Sequence, residues 1–285
     1  MRVAVVGHVE WVRFARVEGV PSPGEIVHAS EWWEEPAGGG AVAAVQLARL
    51  AGLAVLFTAL GDDEPGHRAR RELEALGLRV ETTFRPTPQR QAFTFVDASG
   101  ERTITVMGER MGPSGDDPLD WEELEGADAV YFTAGDRRAL ERARRARVLV
   151  ATLRAQPVLS EARVVLDALV GSARDPAEAF DPVAFDPPPG LLVQTEGRAG
   201  GRFVVADGRS GRYEAVPPPG PVRDTYGCGD SFAAGLTYGL GAGLRVEEAL
   251  ALAARCGAAC LTGRGAYEGQ LRLSGEDPRQ GAVRE

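Results

Sequence analysis

The sequence predicts an α/β protein: a mostly parallel sheet covered by helices, with a small β appendage. Three observations carry this. Strand-length apolar runs alternate with helix-patterned stretches in both halves of the chain, the signature of parallel βαβ units. Two β-rich runs on either side of Ser99 interrupt that alternation. A chain of 285 residues, 44% of them hydrophobic, is also long enough for one large core.

Taken in order, RVAVVG (2–7) is a short apolar run ending in glycine and predicts the first buried strand. EIVHASEWW (25–33) reads as an exposed strand, its tryptophans as packing residues. GGGAVAAVQLARLAG (38–52) opens with three glycines and continues with apolar residues at helical spacing, so it predicts a loop feeding a buried helix. LAVLFTALG (53–61) returns to strand, GDDEPG (61–66) turns, and HRARRELEALG (67–77) is an amphipathic helix. AFTFVD (92–97) and RTITVM (102–107), separated by ASGE, predict a hairpin. With 25–33 the hairpin is placed outside the main sheet.

Alternation resumes with DAVYFTAG (128–135), the helical RRALERARRA (137–146), VLVATL (148–153), ALVGS (168–172) and LLVQTEG (191–197). GRFVVADGRSGRYEAV (201–216) predicts an antiparallel edge turning at Asp207-Gly208. PPPGP (217–221) stiffens the approach to DTYGCGD (224–230), and two helices follow, 231–240 and 245–261. From about Ser274 the chain reads as polar and frayed.

Composition excludes several function classes. A formal charge of −9 opposes neutralising nucleic-acid phosphates or lying on anionic lipid, so a small-molecule substrate is expected. No run approaches a signal sequence or the roughly 20 apolar residues of a membrane span, which predicts a cytoplasmic protein. Cys228, Cys256 and Cys260 lack the spacing of a disulfide framework or a zinc site; Cys256 and Cys260, one helical turn apart, read as packing residues. The chain contains no lysine, so neither a Walker-type phosphate lysine nor a pyridoxal Schiff base is available, and it contains no asparagine.

DTYGCGD holds the most chemistry. Gly227, Cys228 and Gly229 lead into a helix whose first amides have no internal partner, and small side chains let an anion approach the backbone. Asp230 at the helix start can accept a hydroxyl proton while those amides hold phosphoryl oxygens. The plainer alternative is that Asp230 caps the helix and the glycines shape a turn. Both stand on the residues alone.

The wider pattern resembles a known family. DTYGCGDSFAAGLTYGL is similar to the C-terminal signature of ribokinase-like (PfkB-type) carbohydrate kinases, D-T-x-G-A-G-D-x-F followed by a helix. GGGAVAAVQLARLAG resembles their N-terminal glycine signature, LGDDEPG their G-D-D-x-x-G turn, VDASGERTITV their lid hairpin, and LLVQTEGRAG the strand and turn before the nucleotide. These matches run in order over nearly the whole chain. The resemblance implies a three-layer α/β/α fold with a mostly parallel central sheet and a small β-sheet lid. The core would comprise 1–12, 36–84 and 112–285, and the lid 13–35 and 85–111.

It also implies roles. Asp230 matches the catalytic base and Gly227, Cys228 and Gly229 the anion hole. Gly38 and Gly39 match the sugar-binding glycines, and Asp224 the aspartate that holds the sugar or a monovalent cation such as K⁺. Thr195 and Gly197 match the turn at the nucleotide, and Gly263 and Gly265 the loop over the adenine and cation, although each glycine also reads as turn geometry. ATP and Mg²⁺ are the implied cofactors, and a homodimer through the lid the implied assembly.

Four departures matter. Val42 stands where the family has a sugar-binding asparagine, and valine cannot make that hydrogen bond. Glu10 replaces an aspartate delivered to the sugar. The magnesium-organising N-x-x-E becomes Ser172-Ala173-Arg174-Asp175, which leaves Asp175 to hold Mg²⁺ through water. A D-x-N-x-R segment keeps Thr152 and Arg154. Arg154 and Arg110 suit a substrate carboxylate or phosphate, or simply face solvent, and His8 and His67 suggest no chemistry. The expected activity is phosphorylation of a sugar-like alcohol. A nucleoside or acidic-sugar (ketodeoxygluconate-type) kinase and a non-catalytic ligand-binding relative are the alternatives.

Overall fold

A computed structural model describes residues 1–181 and 185–273, so the tail from Ser274 lies outside the described residues. The chain opens with β1 (Val3–Val6), then runs through β2 (Glu10–Arg16) and β3 (Glu31–Ala37) before α1 (Gly39–Ala51) leads into β4 (Ala54–Gly61). Next come α2 (Glu64–Ala75), β5 (Leu78–Arg85) and the hairpin β6 (Gln91–Val96) and β7 (Arg102–Met107). The second half adds β8 (Ala129–Phe132), α3 (Arg137–Ala143), β9 (Val148–Thr152), α4 (Gln156–Ala162), β10 (Ala168–Ser172) and β11 (Leu191–Thr195). It closes with β12 (Gly201–Val205), β13 (Ser210–Tyr213), α5 (Cys228–Gly241) and α6 (Val246–Cys260).

The main sheet has the order β13-β12-β11-β10-β9-β8-β1-β4-β5. Every pairing from β5 to β11 is parallel; β12 and β13 add an antiparallel edge. Side-chain alternation along each strand divides the core into two layers. Val3, Val5, Tyr131 and Val150 join α1, α5 and α6 on one face; Ala4, Val6, Phe132 and Leu149 join α3 and α4 on the other. This is the expected three-layer α/β/α arrangement. A second sheet, β3-β2-β6-β7, forms the lid.

Local boundaries depart from expectation for identifiable reasons. The helix expected from His67 begins at Glu64, because the Asp63 side chain accepts from the Gly66 amide at 3.0 Å and Pro65 occupies the first turn. Residues 78–85, unassigned in the sequence, pair with β4 as the parallel edge strand β5. The lid strands begin earlier and end later than expected: β2 starts at Glu10 and β3 runs to Ala37, so residues 10–12 and 36–37 belong to lid strands. The exposed strand expected at 25–33 is found as β3 at Glu31–Ala37. No helix among the described residues is long and apolar enough to cross a membrane.

Candidate active site

The chain leaves β1 toward β4 on one side of the sheet, while β8 to β11 build outward on the other. Such a reversal opens a crevice beyond the carboxyl ends of β1 and β8. Gly7 follows β1 there, and any side chain would collide: a methyl carbon would lie 2.3 Å from Thr133 Oγ1 and 2.8 Å from the Gly40 Cα. This close packing sets His8, Thr133 and the start of α1 side by side.

The amino ends of α1 and α5 meet at the same place. Gly38 (φ 86°) donates its amide to the Tyr226 hydroxyl at 3.3 Å, and a methyl at Gly39 would lie 2.8 Å from Asp230 Oδ1. Tyr226, which the sequence reading passed over, thus ties the two helix starts together. Gly227 (φ 76°) caps α5, so the helix begins at Cys228, three residues earlier than expected, and Asp230 falls in its first turn. The amides of Gly227 and Cys228 have no hydrogen-bond partner among the described residues, the Gly229 amide points to the neighbouring Cys228 thiol, and the space beside Gly229 is open. Asp230 is half-buried, and burial pushes its carboxyl up to about 6.

Val42 does not line this opening. It is fully buried behind the anion-hole turn, its Cγ1 2.9 Å from where a methyl on Gly227 would sit. A residue matched to a sugar-binding asparagine is here a packing residue.

Four side chains, Glu10, Arg90, His8 and Arg110, cluster where β1 ends and the lid begins. Glu10 opens β2 of the lid rather than ending the first core strand, and its carboxylate pairs with Arg90 Nε at 2.8 Å. His8 Nε2 lies 3.9 Å from Glu10, and His8 Nδ1 accepts from Arg110 Nη2 at 3.1 Å. Arg110 also donates to the Thr133 carbonyl at 3.1 Å. Burial first, then Arg110, Arg90 and Arg154, push the His8 imidazole well below its ordinary value, so it is neutral and free to accept at Nδ1. Neither His8 nor Arg90 had been singled out by sequence; their partners come from elements far apart in the chain.

Arg154 is engaged differently from expectation. Its guanidinium pairs with Asp175 and, at 2.7 Å, with Glu178, so it is neutralised by protein carboxylates rather than left for a substrate. Glu178 also accepts from the Ser172 amide at 2.6 Å and is a like charge that helps raise Asp230. The family resemblance had pointed to Asp175, which caps the short turn Pro176–Glu178; Glu178 was missed because its approach to Ser172 depends on that turn. Asp175 and Glu178 are carboxylates of the kind that hold a hydrated Mg²⁺ through water, although Arg154 pairs with both here, and among the described residues no three potential ligands assemble to bind a metal directly.

The residues matched to the nucleotide occupy two loops. Thr195 ends β11, and Gly197 (φ 64°) turns close to the Arg174 guanidinium. Gly263 and Gly265 are buried; methyl carbons there would lie 2.1 Å from the Gly269 amide nitrogen and 2.3 Å from Glu35 Oε1. Both glycines therefore serve loop packing. Asp224 is fully buried, and its oxygens accept from the Tyr226 and Gly265 amides at 2.8 and 3.0 Å. It ties the Gly265 loop to the anion-hole turn rather than reaching a sugar. Glu35, on the lid strand β3, accepts from the Ala266 amide at 2.7 Å, and burial pushes it up to about 7.

Comparison with known proteins shows the family. The model of the pfkB family carbohydrate kinases matches residues 1–272. An ATP-dependent ribose-1-phosphate kinase from Halopiger xanaduensis is 30% identical over 279 residues, covering 90% of this chain and 91% of that protein. Among solved structures, a putative ribokinase from Agrobacterium tumefaciens superposes with a TM-score of 0.77 at 22% identity, covering 94% of each chain. Arabidopsis thaliana ribokinase complexed with ribose and ATP gives a TM-score of 0.73 at 20% identity, covering 93% of each.

Proposed function

Because this chain belongs to the pfkB family of carbohydrate kinases, we propose that it transfers the γ-phosphate of ATP to a hydroxyl of a sugar or sugar-like molecule. Asp230 is the general base and the Gly227–Gly229 amides form the anion hole. The observation that carries this is their juxtaposition: the Gly227 and Cys228 amides without protein partners, and the Gly229 amide met only by the Cys228 thiol, beside a half-buried carboxylate of raised proton affinity at the start of α5.

In the reaction the substrate hydroxyl oxygen attacks the γ-phosphorus, the bond to the β–γ bridging oxygen breaks, and ADP leaves with that oxygen. The hydroxyl proton passes to Asp230, and the amides hold the equatorial phosphoryl oxygens as charge redistributes. Glu178 and Asp175 would hold the waters of a bound Mg²⁺, which would supply positive charge to the triphosphate. Closure of the lid sheet excludes water as a competing acceptor.

Two outcomes test this. Since Asp230 must be ionised to accept the proton and burial holds it at about 6, kcat/KM is expected to fall about tenfold per pH unit below pH 6 and level off above it. A profile flat down to pH 5 would reject Asp230 as the base. Glu178→Gln is expected to raise the Mg²⁺ concentration for half-maximal activity several-fold, read by titrating Mg²⁺ at fixed ATP; an unchanged midpoint would remove Glu178 from the metal's surroundings. The non-catalytic alternative is distinguished by ligand binding without ADP formation.

Pairing of two copies through the lid is also proposed. β7 is an edge strand with all six residues exposed, Ile104, Val106 and Met107 among them. Light scattering showing a monomer at micromolar concentration would oppose it.

A further inference from the structure

Residues 223–226 lead into the anion-hole turn, and the lid holds them at three points. The Arg223 carbonyl accepts from Arg16 Nη1 of β2 at 3.1 Å. The Thr225 amide donates to the Gly100 carbonyl at 2.9 Å and its hydroxyl to Glu101 at 3.0 Å, both in the turn between β6 and β7. The Tyr226 ring packs edge-on against Phe14 of β2, with centroids 5.0 Å apart at 78°. Phe14 lies opposite Trp33 in the β2–β3 pair and stacks on it at 4.8 Å and 2°. An aromatic ladder thus runs from β3 through β2 to the residue before Gly227.

Tyr226 is tied equally firmly on its other side. Its amide donates to Asp224 Oδ1 at 2.8 Å, and its carbonyl accepts from the thiol of Cys260, the last residue of α6, at 3.4 Å. Its hydroxyl accepts from the buried Gly38 amide. Gly38 precedes α1 without any side-chain cap, so this hydroxyl does the holding that a cap would do. The next residue, Gly39, is the one packed against Asp230 Oδ1. A shift of Gly38 therefore moves the backbone against which the proposed base rests.

Simple filling of the core does not account for this side chain. Phenylalanine would occupy the same buried volume and leave the Gly38 amide without this acceptor. Burial first, then the Glu10 and Asp230 carboxylates, push the Tyr226 phenol well above its ordinary value, so it stays neutral and contributes a hydrogen bond and a shape rather than a charge.

We propose that Tyr226 is a positioning residue for the transfer: its ring carries the seating of the lid strands to the anion-hole turn, and its hydroxyl fixes the start of α1 against Asp230. The inference rests on the kinase reading and adds to it a residue that the D-T-x-G-A-G-D signature leaves open, since Tyr226 stands at x. Lid seating and site alignment are then one event. With the lid unseated, the turn loses both its Gly100 bond and its Phe14 contact, so base and anion hole are out of register while water has access.

The test compares the full chain with Tyr226→Phe, Phe14→Leu and the double variant; Trp33→Leu, one step further along the ladder, replaces Phe14→Leu should that variant not fold. Amide hydrogen exchange reads the tie without any substrate. Tyr226→Phe should speed exchange at Gly38 about 10-fold or more, and Phe14→Leu should speed it too, although Phe14 is joined to Gly38 only through Tyr226. Kinetics are read with ATP and the fastest acceptor in a panel of sugars, sugar acids and nucleosides. Tyr226→Phe should lower kcat about 10- to 100-fold and leave the KM for ATP within about threefold. The double variant should lose about as much kcat as Tyr226→Phe alone, because the relay is already cut. Faster exchange at Gly38 in both single variants, with no acceptor turned over by the parent, would uphold the relay and reject the kinase reading. Parental kcat in Tyr226→Phe, a loss confined to KM, losses that multiply in the double variant, or unchanged exchange at Gly38 in the ladder variant would overturn the proposal.

Discussion

Asp230→Asn is expected to lower kcat by about 10²- to 10⁴-fold, the usual contribution of a positioned general base. Asparagine keeps the shape at the start of α5 and cannot accept the proton. Nucleotide affinity should persist, because the amides of Gly227, Cys228 and Gly229 are backbone groups that the substitution leaves in place. The same variant should be more stable than the parent at neutral pH. Asp230 titrates at about 6 in the fold against an ordinary 3.8, so burial disfavours its ionised form. That cost is absent below the lower value, grows between the two, and is complete above the upper one. A rise in Tm at pH 7.5 that shrinks toward pH 4, with activity lost throughout, is the expected pattern. Parental kcat in the variant would remove the assigned base, and a Tm gain independent of pH would remove the buried-carboxylate account.

Gly227→Ala is expected to damage both folding and catalysis. Gly227 sits at φ 76°, a conformation that costs an L-residue about 1–2 kcal/mol, and its new methyl would lie 2.9 Å from Val42 Cγ1. Overpacking of a filled core adds about 1–3 kcal/mol. Relief requires the turn to shift, and the anion-hole amides move with it; losing one such donor costs about 10²- to 10³-fold in kcat. Adding Val42→Ala separates the causes. The double variant should regain the part due to the clash and keep the part due to φ, read by denaturant unfolding alongside kcat. Full recovery would mean that the left-handed turn carries no cost, and no recovery that Val42 is not the obstacle.

The geometry on which the proposed base and anion hole rest was legible because it is local. The anion hole and its carboxylate lie within four consecutive residues, and a helix start with small residues leaves the same amides open in any fold that buries the helix behind it. The strand end at Thr195 and the turn at Gly197 were legible for a similar reason. Residues whose behaviour depends on a distant partner were not. That Val42 packs as core depends on Gly227, far along the chain, which leaves it room. Asp224 and Gly265 hydrogen-bond each other across forty-one positions, which turned an expected substrate contact into an internal tie. Arg154 found Asp175 and Glu178, Arg90 found Glu10, and Arg110 was left with the His8 ring and the Thr133 carbonyl.

The amino-acid sequence alone determined the alternation of strands and helices, the parallel sheet with its lid, and the anion-hole turn, since each rests on periodicity or on backbone groups near in sequence. Only the tertiary structure decided which charges are satisfied and which face the cleft. A guanidinium carries the same charge wherever it stands, and its availability depends on whether folding brings a carboxylate within about 4 Å of it.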